Sequence, residues 1–288
     1  MSQAALAWRH QRVQRLRRLL RRRSLRQAER AFVAEGSKVI SVALDAGAPV
    51  ESLYFAPQVS ADDRAGAVIE QAMAAGVRVY QLGAGVMERV ADTVTPQPLL
   101  AVVAFVDVAL AALADASLVV VCADVRDPGN AGTVLRSAEA AGADGVICCD
   151  GSVDVYNPKT VRASAGALFQ VPVVTGGDVV EVLERLGDWG MHRLAATARD
   201  GRDYTEADLT ASAALVLGNE AAGVPPRLEP WTDEFISIPM AGRADSLNVG
   251  MAAAVLCFEA ARQRRQRGTG GGAKARAEGP ETRATGSG

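Results

Sequence analysis

Short, fully apolar runs alternate with amphipathic stretches along most of this chain, the pattern of an α/β protein. Between 31 and 106 the runs FVAE, SLYFA, VRVYQL and LLAVVAFV predict strands. The segments 37–46, 61–75 and 84–91 predict helices, and Gly47 and Gly76 end the first two. A second series starts at 118 with LVVVCAD, GVICCD, VPVV, HRLAATA, AALVLG and EFISIPM, again separated by helix-length segments. Runs that are apolar at every position fit a mostly parallel sheet covered on both faces. The last helix is expected to begin near Ser246, with Leu247, Met251, Val255 and Phe258 at helical spacing. Ahead of all this, residues 8–30 are helix-compatible, but Leu16, Leu19, Leu20 and Leu25 form only a thin apolar stripe. The organisation expected is an N-terminal arm over 1–30, a small α/β domain over 31–106, a linker over 107–117, a second α/β domain over 118–267 and a disordered tail over 268–288.

At 288 residues and 49% hydrophobic, the chain can bury two ordinary cores. Its most apolar stretch, 99–122, contains Asp107 and Asp115. Either would cost about 2.5–3.5 kcal/mol at a bilayer centre, so the stretch reads as two strands and a connector. The N-terminus has no apolar h-region, and a cytoplasmic protein is expected.

Charge changes the picture more than composition does. The net charge of −2 conceals ten arginines against Glu29 in residues 1–30, and seven basic residues against two acidic ones in 262–288. The middle, 31–261, is left with 14 basic and 30 acidic residues. An arginine-rich segment on an acidic body points to nucleic acid, because clustered arginines bind phosphates without needing sequence. A solvated helical terminus that only aids solubility is the alternative.

Cys122, Cys148, Cys149 and Cys257 form no C-x-x-C pair, and Cys148 and Cys149 fall on opposite faces of one strand. They read as buried free thiols. With only His10 and His192 in the chain, neither a histidine triad nor a histidine-rich metal site is expected. GAGVME (83–88) lacks the third glycine of a dinucleotide turn, and no phosphate-binding P-loop occurs.

Three segments place polar residues where an apolar run meets a helix: DVRDPGNAGTVLRSAEAAGADGVI (124–147), LVLGNEAAGVP (215–225) and SIPMAGRADSLNVGMAAAV (237–255). Strand ends of this kind are where an open α/β sheet keeps its ligand. Taken singly, each has a local explanation: Asn130 or Ser246 as a helix cap, Arg136 on a solvent face, Glu220 near a helix N-terminus.

Together the segments resemble the SpoU/TrmH class of the SPOUT superfamily, the S-adenosylmethionine-dependent RNA ribose 2′-O-methyltransferases. The similarity is greatest to actinobacterial members that include antibiotic-resistance rRNA methylases. D-P-G-N-A-G with Arg136 is similar to the family's first motif, G-N-E-A-A-G to its second, and I-P-M-A-G-R-A-D-S-L-N-V to its third. DVYNPKTVRASAGALFQVP (154–172) resembles the segment joining the first two, and DTVTPQP (92–98) the close of an N-terminal substrate domain. Gly250 stands where many relatives carry Ser, and Pro98 where Gly is frequent.

The resemblance implies a catalytic domain with a parallel sheet and a deep trefoil knot, preceded by a small α/β RNA-binding domain. It implies S-adenosylmethionine as cofactor, no metal, no membrane, and a homodimer whose sites draw on both chains. The cofactor-holding positions would be Ala196, Thr197, Ala198, Leu217, Gly218, Ile238, Met240, Ser246, Leu247 and Val249, and the catalytic ones Asn130, Arg136, Glu220, Ser246 and Asn248. Lys159 and Arg162 are candidate phosphate contacts. A ribose hydroxyl is barely ionised at neutral pH, so it must be positioned and relieved of its proton. A guanidinium is a poor base on its face. Arg136 therefore either relays the proton or clamps a phosphate and stabilises developing charge. The expected substrate is structured RNA, with rRNA ahead of tRNA; a non-catalytic RNA-binding or ribosome-assembly protein is the alternative on the same fold.

Overall fold

The computed structural model describes residues 5–59, 63–91, 95–220 and 222–268. Two sheets organise them. The first unit contains β1 (Ala31–Glu35), α3 (Ser37–Asp45), β2 (Val50–Phe55), α4 (Arg64–Ala74), β3 (Arg78–Gln81), α5 (Val86–Val90) and β4 (Leu99–Ala104). Its strands pair in the order β1-β4-β2-β3, antiparallel except for β2 with β3. The second unit contains β5 (Leu118–Cys122), α6 (Pro128–Ala141), β6 (Gly145–Cys148), α7 (Pro158–Ala163), β7 (Val173–Thr175), α8 (Val179–Asp188), β8 (His192–Thr197), β9 (Arg202–Asp203), β10 (Ala213–Leu217), β11 (Glu234–Ser237) and α9 (Val249–Gly268). All seven strands are parallel, in the order β7-β6-β5-β10-β8-β11-β9.

Alternation along single strands assigns the cores. Phe32 and Ala34 face one cluster while Ala31 and Val33 face another, and Leu118 and Val120 are separated in the same way from Val119 and Val121. Cys148 and Cys149 fall in different clusters, as expected of neighbours on opposite faces, and all four cysteines are buried and free. Burial pushes the Cys149 and Cys257 thiols up to about 12. Phe32, Leu99, Leu118 and Leu135 share one cluster, so a single core runs through both units.

Residues 1–30 depart most from expectation. They supply two helices, α1 (Gln11–Arg21) and α2 (Arg23–Glu29), split by Arg22 in extended conformation (φ −119°, ψ 107°). The thin stripe is enough to bury α1: Val13, Leu16 and Leu19 are fully covered against the outer face of the first sheet. Arg15 bonds Glu29 and Glu51 at 2.6 and 2.7 Å, and Arg26 is buried against Asp154 of the second unit at 2.6 Å. From residue 5 on, the segment is therefore a packed helix pair and not an arm.

The 107–117 segment is likewise fixed. Tyr156 donates its hydroxyl to Asp107 at 2.8 Å and accepts from the Val106 and Asp107 amides, while its ring stacks on Phe105 with centroids 3.8 Å apart. Burial raises the Asp107 carboxyl, but bonds from Arg30 and Tyr156 outweigh it and hold the group below its ordinary range. Asn248, not Ser246, caps the last helix; its side chain accepts from the Gly250 amide at 2.9 Å. The two-residue β9 is too short to leave a pattern. The tail beyond 268, residues 92–94 of the DTVTPQP segment and residues 61–62 of the expected 61–75 helix lie outside the described residues.

Leu16→Ala should cost about 2–5 kcal/mol if α1 is core and not arm. Thermal unfolding should then start roughly 5–15 °C lower; an unchanged melting curve would mean that α1 is dispensable to the fold.

Candidate active site

The strand order reverses direction at β5 and β10: β6 and β7 build outward on one side, β8, β11 and β9 on the other. Ligand crevices of open parallel sheets form beyond the carboxyl ends at such a point. A cleft half open to solvent lies there. Its walls are the ends of β8 (Ala196, Thr197, Ala198), β10 (Leu217, Gly218) and β11 (Ile236, Ile238, Met240), closed by Ser246, Leu247 and Val249 and floored by Ala252 and Leu256 of α9. All ten positions expected to hold a cofactor meet in this one cleft.

Two close approaches shape it. A Cβ on Gly218 would lie 2.2 Å from the Gly223 carbonyl, so only glycine lets the 218–223 loop fold back on itself. Asn219 and Gly223 then exchange backbone hydrogen bonds at 2.8 and 2.9 Å. At Gly250 a Cβ would come within 2.9 Å of Thr133, so the start of α9 rests directly on α6.

The polar residues form a chain beside the cleft. Asn248 Nδ2 donates to Asn130 Oδ1 at 2.8 Å, and Asn130 Nδ2 donates to Glu220 Oε1 at 3.0 Å. Glu220 also accepts the Asp127 amide at 3.0 Å and the Arg126 amide at 3.3 Å. Asp127 caps α6 by accepting the Asn130 amide at 2.9 Å. Partial burial raises the Glu220 carboxyl, but these donors outweigh it and hold it below the ordinary carboxylate value. One anion thus joins the first and second segments, and an asparagine pair adds the third.

Of the five expected catalytic residues, Asn130, Glu220 and Asn248 are bonded together, and Glu220 and Ser246 line the cleft. Arg136 is set apart: it is exposed on α6, outside the cleft lining, and bonds no described residue. It lies one turn beyond Thr133, hence one turn beyond the contact with Gly250. Lys159 is exposed at the start of α7. Arg162 is not a free phosphate contact, because it pairs with the buried Glu35 at 3.0 Å and so ties α7 to β1. Asp127 and Asn219 were not singled out from the sequence. The Asp-Pro pair was the available signal for a helix cap at Asp127; Asn219 was carried inside the G-N-E-A-A-G motif, and its bonds include those to Gly223, the Ala222 amide and the carbonyl of Asp124.

Comparison with known proteins fits this geometry. Residues 117–258 match the SpoU rRNA Methylase family, and residues 10–101 match an MRM3-like substrate binding domain. The 23S rRNA (guanosine(2553)-2′-O)-methyltransferase RlmP of Bacillus subtilis is 33% identical over 79% of this chain and 87% of its own length. The chain belongs to the SpoU methylase family. The SpoU family's fold implies the knotted threading expected above, and its catalytic unit here is the seven-stranded one. A 23S rRNA (uridine(2479)-2′-O)-methyltransferase of Streptomyces viridochromogenes is 34% identical over 89% of this chain and 91% of its own. Among solved SpoU structures, AviRb of Streptomyces viridochromogenes in complex with AdoMet superposes with a TM-score of 0.79 at 29% identity, covering 89% of this chain and all of that one. An AdoMet-bound rRNA methyltransferase of Sinorhizobium meliloti gives 0.76 at 31% identity, covering 88% and 95%.

Asn130→Asp tests the chain of bonds. It sets a second carboxylate about 3 Å from Glu220, so the loops should repel at neutral pH and the melting temperature should fall. In the native protein Glu220's contribution is present above its unfolded-state pKa and is lost as pH falls through the depressed folded value. In the variant one carboxyl has a raised pKa and takes up a proton first. The gap between the two melting temperatures should therefore narrow from pH 7 towards pH 4; a gap constant with pH would remove Glu220 from this role.

Proposed function

We propose that this protein methylates a ribose 2′-hydroxyl in rRNA with S-adenosylmethionine as donor. The observation that carries the reading is the meeting of ten cofactor positions in one cleft, with Glu220, Asn130 and Asn248 bonded beside it. The cleft suits such a ligand. Leu217, Ile238, Met240 and Leu247 offer apolar walls, and the strand-end backbone at Ala196–Ala198 and Gly218 offers amide and carbonyl groups beside them. These residues, with Ser246 and Val249, would hold the cofactor, which supplies an activated methyl group when bound.

The chain's own residues have the rest of the task. Asn130 is held with its amide nitrogen towards Glu220 and its oxygen towards Asn248, so its orientation is fixed before substrate arrives. Glu220 is anionic at neutral pH and serves to orient. Arg136, exposed and without a partner among the described residues, is available to a phosphate or to a ribose hydroxyl that reaches α6 from solvent. Positioning supplies most of what such a transfer needs. No helix among the described residues is long and apolar enough to cross a membrane, and an rRNA substrate fits a cytoplasmic protein.

The reading includes a homodimer. Met251 and Phe258, seven residues apart on one face of α9, are 61% and 48% exposed. An apolar stripe of this kind beside a site suits a second copy of the chain. Light scattering should give a mass near 60 kDa, twice the 30.0 kDa chain, and Met251→Glu with Phe258→Glu should shift it to the monomer. A wild-type monomer at micromolar concentration would end this part of the reading.

Incubation with methyl-labelled S-adenosylmethionine should label rRNA, and mapping of 2′-O-methyl positions should show a single new site. Tight RNA binding without label would leave only the non-catalytic alternative. Arg136→Ala should abolish transfer, a loss of at least about a hundredfold for a group acting on the reacting centre. Cofactor affinity by calorimetry should remain within about twofold, because Arg136 lies outside the cleft; parallel loss of both would reassign it to cofactor binding.

A further inference from the structure

The ten arginines of residues 1–30 do not share one role, and Arg18 donates to the Gln14 carbonyl within α1. Arg15, Arg26 and Arg30 are spent on ion pairs with Glu29, Glu51, Asp154 and Asp107. Arg12 and Arg17 lie over the rings of Tyr80 and Trp8 at 4.6 and 5.5 Å. Arg9, Arg21, Arg22 and Arg23 are exposed, with no side-chain bond, ion pair or ring contact among the described residues. Of these, Arg21 at the end of α1 lines a groove between the helix pair and α7.

One wall of that groove carries Leu20 and Arg21, the other Pro158 and Lys159, and Arg26 and Arg162 line it between them. The last two are neutralised by Asp154 and Glu35 and act as fixed structure. Arg21 and Lys159 are the free charges, one on each wall. α7, which forms one wall of the groove, packs on α6, so closely that a Cβ on Gly132 would lie 2.4 Å from that of Ala163. Arg136 is one turn further along α6.

Resting on the methyltransferase reading above, we propose that this groove seats the phosphodiester backbone of the RNA substrate flanking the target ribose, with Arg21 and Lys159 contacting phosphates from opposite walls. RNA suits it better than a protein, because a protein interface is depleted of charge at its centre and anchored by exposed apolar groups. Here Leu20 is buried and the free groups are cations. Contacts of this kind set register without reading bases. The base identity of the target is then decided elsewhere.

The test is the paired variant Arg21→Gln with Lys159→Gln, in the full chain, on an rRNA fragment that the wild type methylates. Binding is followed by fluorescence anisotropy from 50 to 300 mM salt. Losing two phosphate contacts should weaken affinity about tenfold at 100 mM and make the log–log salt slope shallower by about 1.4. KM for RNA should rise in parallel, and S-adenosylmethionine affinity should stay at the wild-type value. Arg185→Gln with Arg227→Gln makes the same change in net charge on elements packed against the opposite sheet face, and should leave the slope as it was. An unaltered slope in the first pair, or an equal loss in the second, overturns the groove. A wild type that transfers no methyl group, yet binds RNA through Arg21 and Lys159, overturns the methyltransferase reading alone.

Discussion

Glu220 gathers the site. Its carboxylate receives two backbone amides from the loop after β5 and the side-chain amide of Asn130, and Asn130 in turn receives Asn248. Three loops, the first about ninety residues of chain before the second, are thereby held at fixed relative positions. A carboxylate suits this because it offers about four acceptor sites and no donor, so it can collect N–H groups from several directions at once. A neutral acceptor of similar size could satisfy fewer of them. The collected donors also keep the group ionised, so the condition that orders the loops is self-maintaining at neutral pH.

That arrangement needs a sheet whose strands all point one way. Because β8, β10 and β11 are parallel, their carboxyl ends and the loops that follow open on the same edge. The cleft is then built from chain geometry as much as from side chains. Gly218 permits one loop to double back, and Gly250 permits α9 to sit against α6. The resulting walls present strand-end backbone and apolar side chains, with Thr197, Asn219, Glu220 and Ser246 as the polar side chains among them.

Much of this could be read from the residues. Continuous apolar runs announced the parallel sheet, and the runs FVAE, SLYFA, VRVYQL and LLAVVAFV announced the strands of the first one. The positions around the cleft were carried by motif resemblance, and their convergence in space is something no local pattern contains. Where expectation and structure part, the causes are physical. Ten arginines masked a four-residue stripe that is enough to bury α1, because an α-helix needs only one narrow face to pack. Asn248 displaced Ser246 as a cap because both residue types cap equally well and tertiary contact with Asn130 decided between them. Arg162 looked like a surface cation until Glu35, 127 residues earlier, came into contact with it.

The joint between the two units has a consequence for how any large ligand is handled. Phe32, Tyr156, Phe105 and Phe169 form one aromatic block across it, and the buried Arg26–Asp154 pair closes its side. Swinging one unit against the other would expose that block and strand a charge in an apolar setting, a cost of several kcal/mol. The molecule therefore behaves as a caliper with its jaws fixed. The span from the arginine helices to the cleft is a set length, and whatever is bound must supply the bending itself.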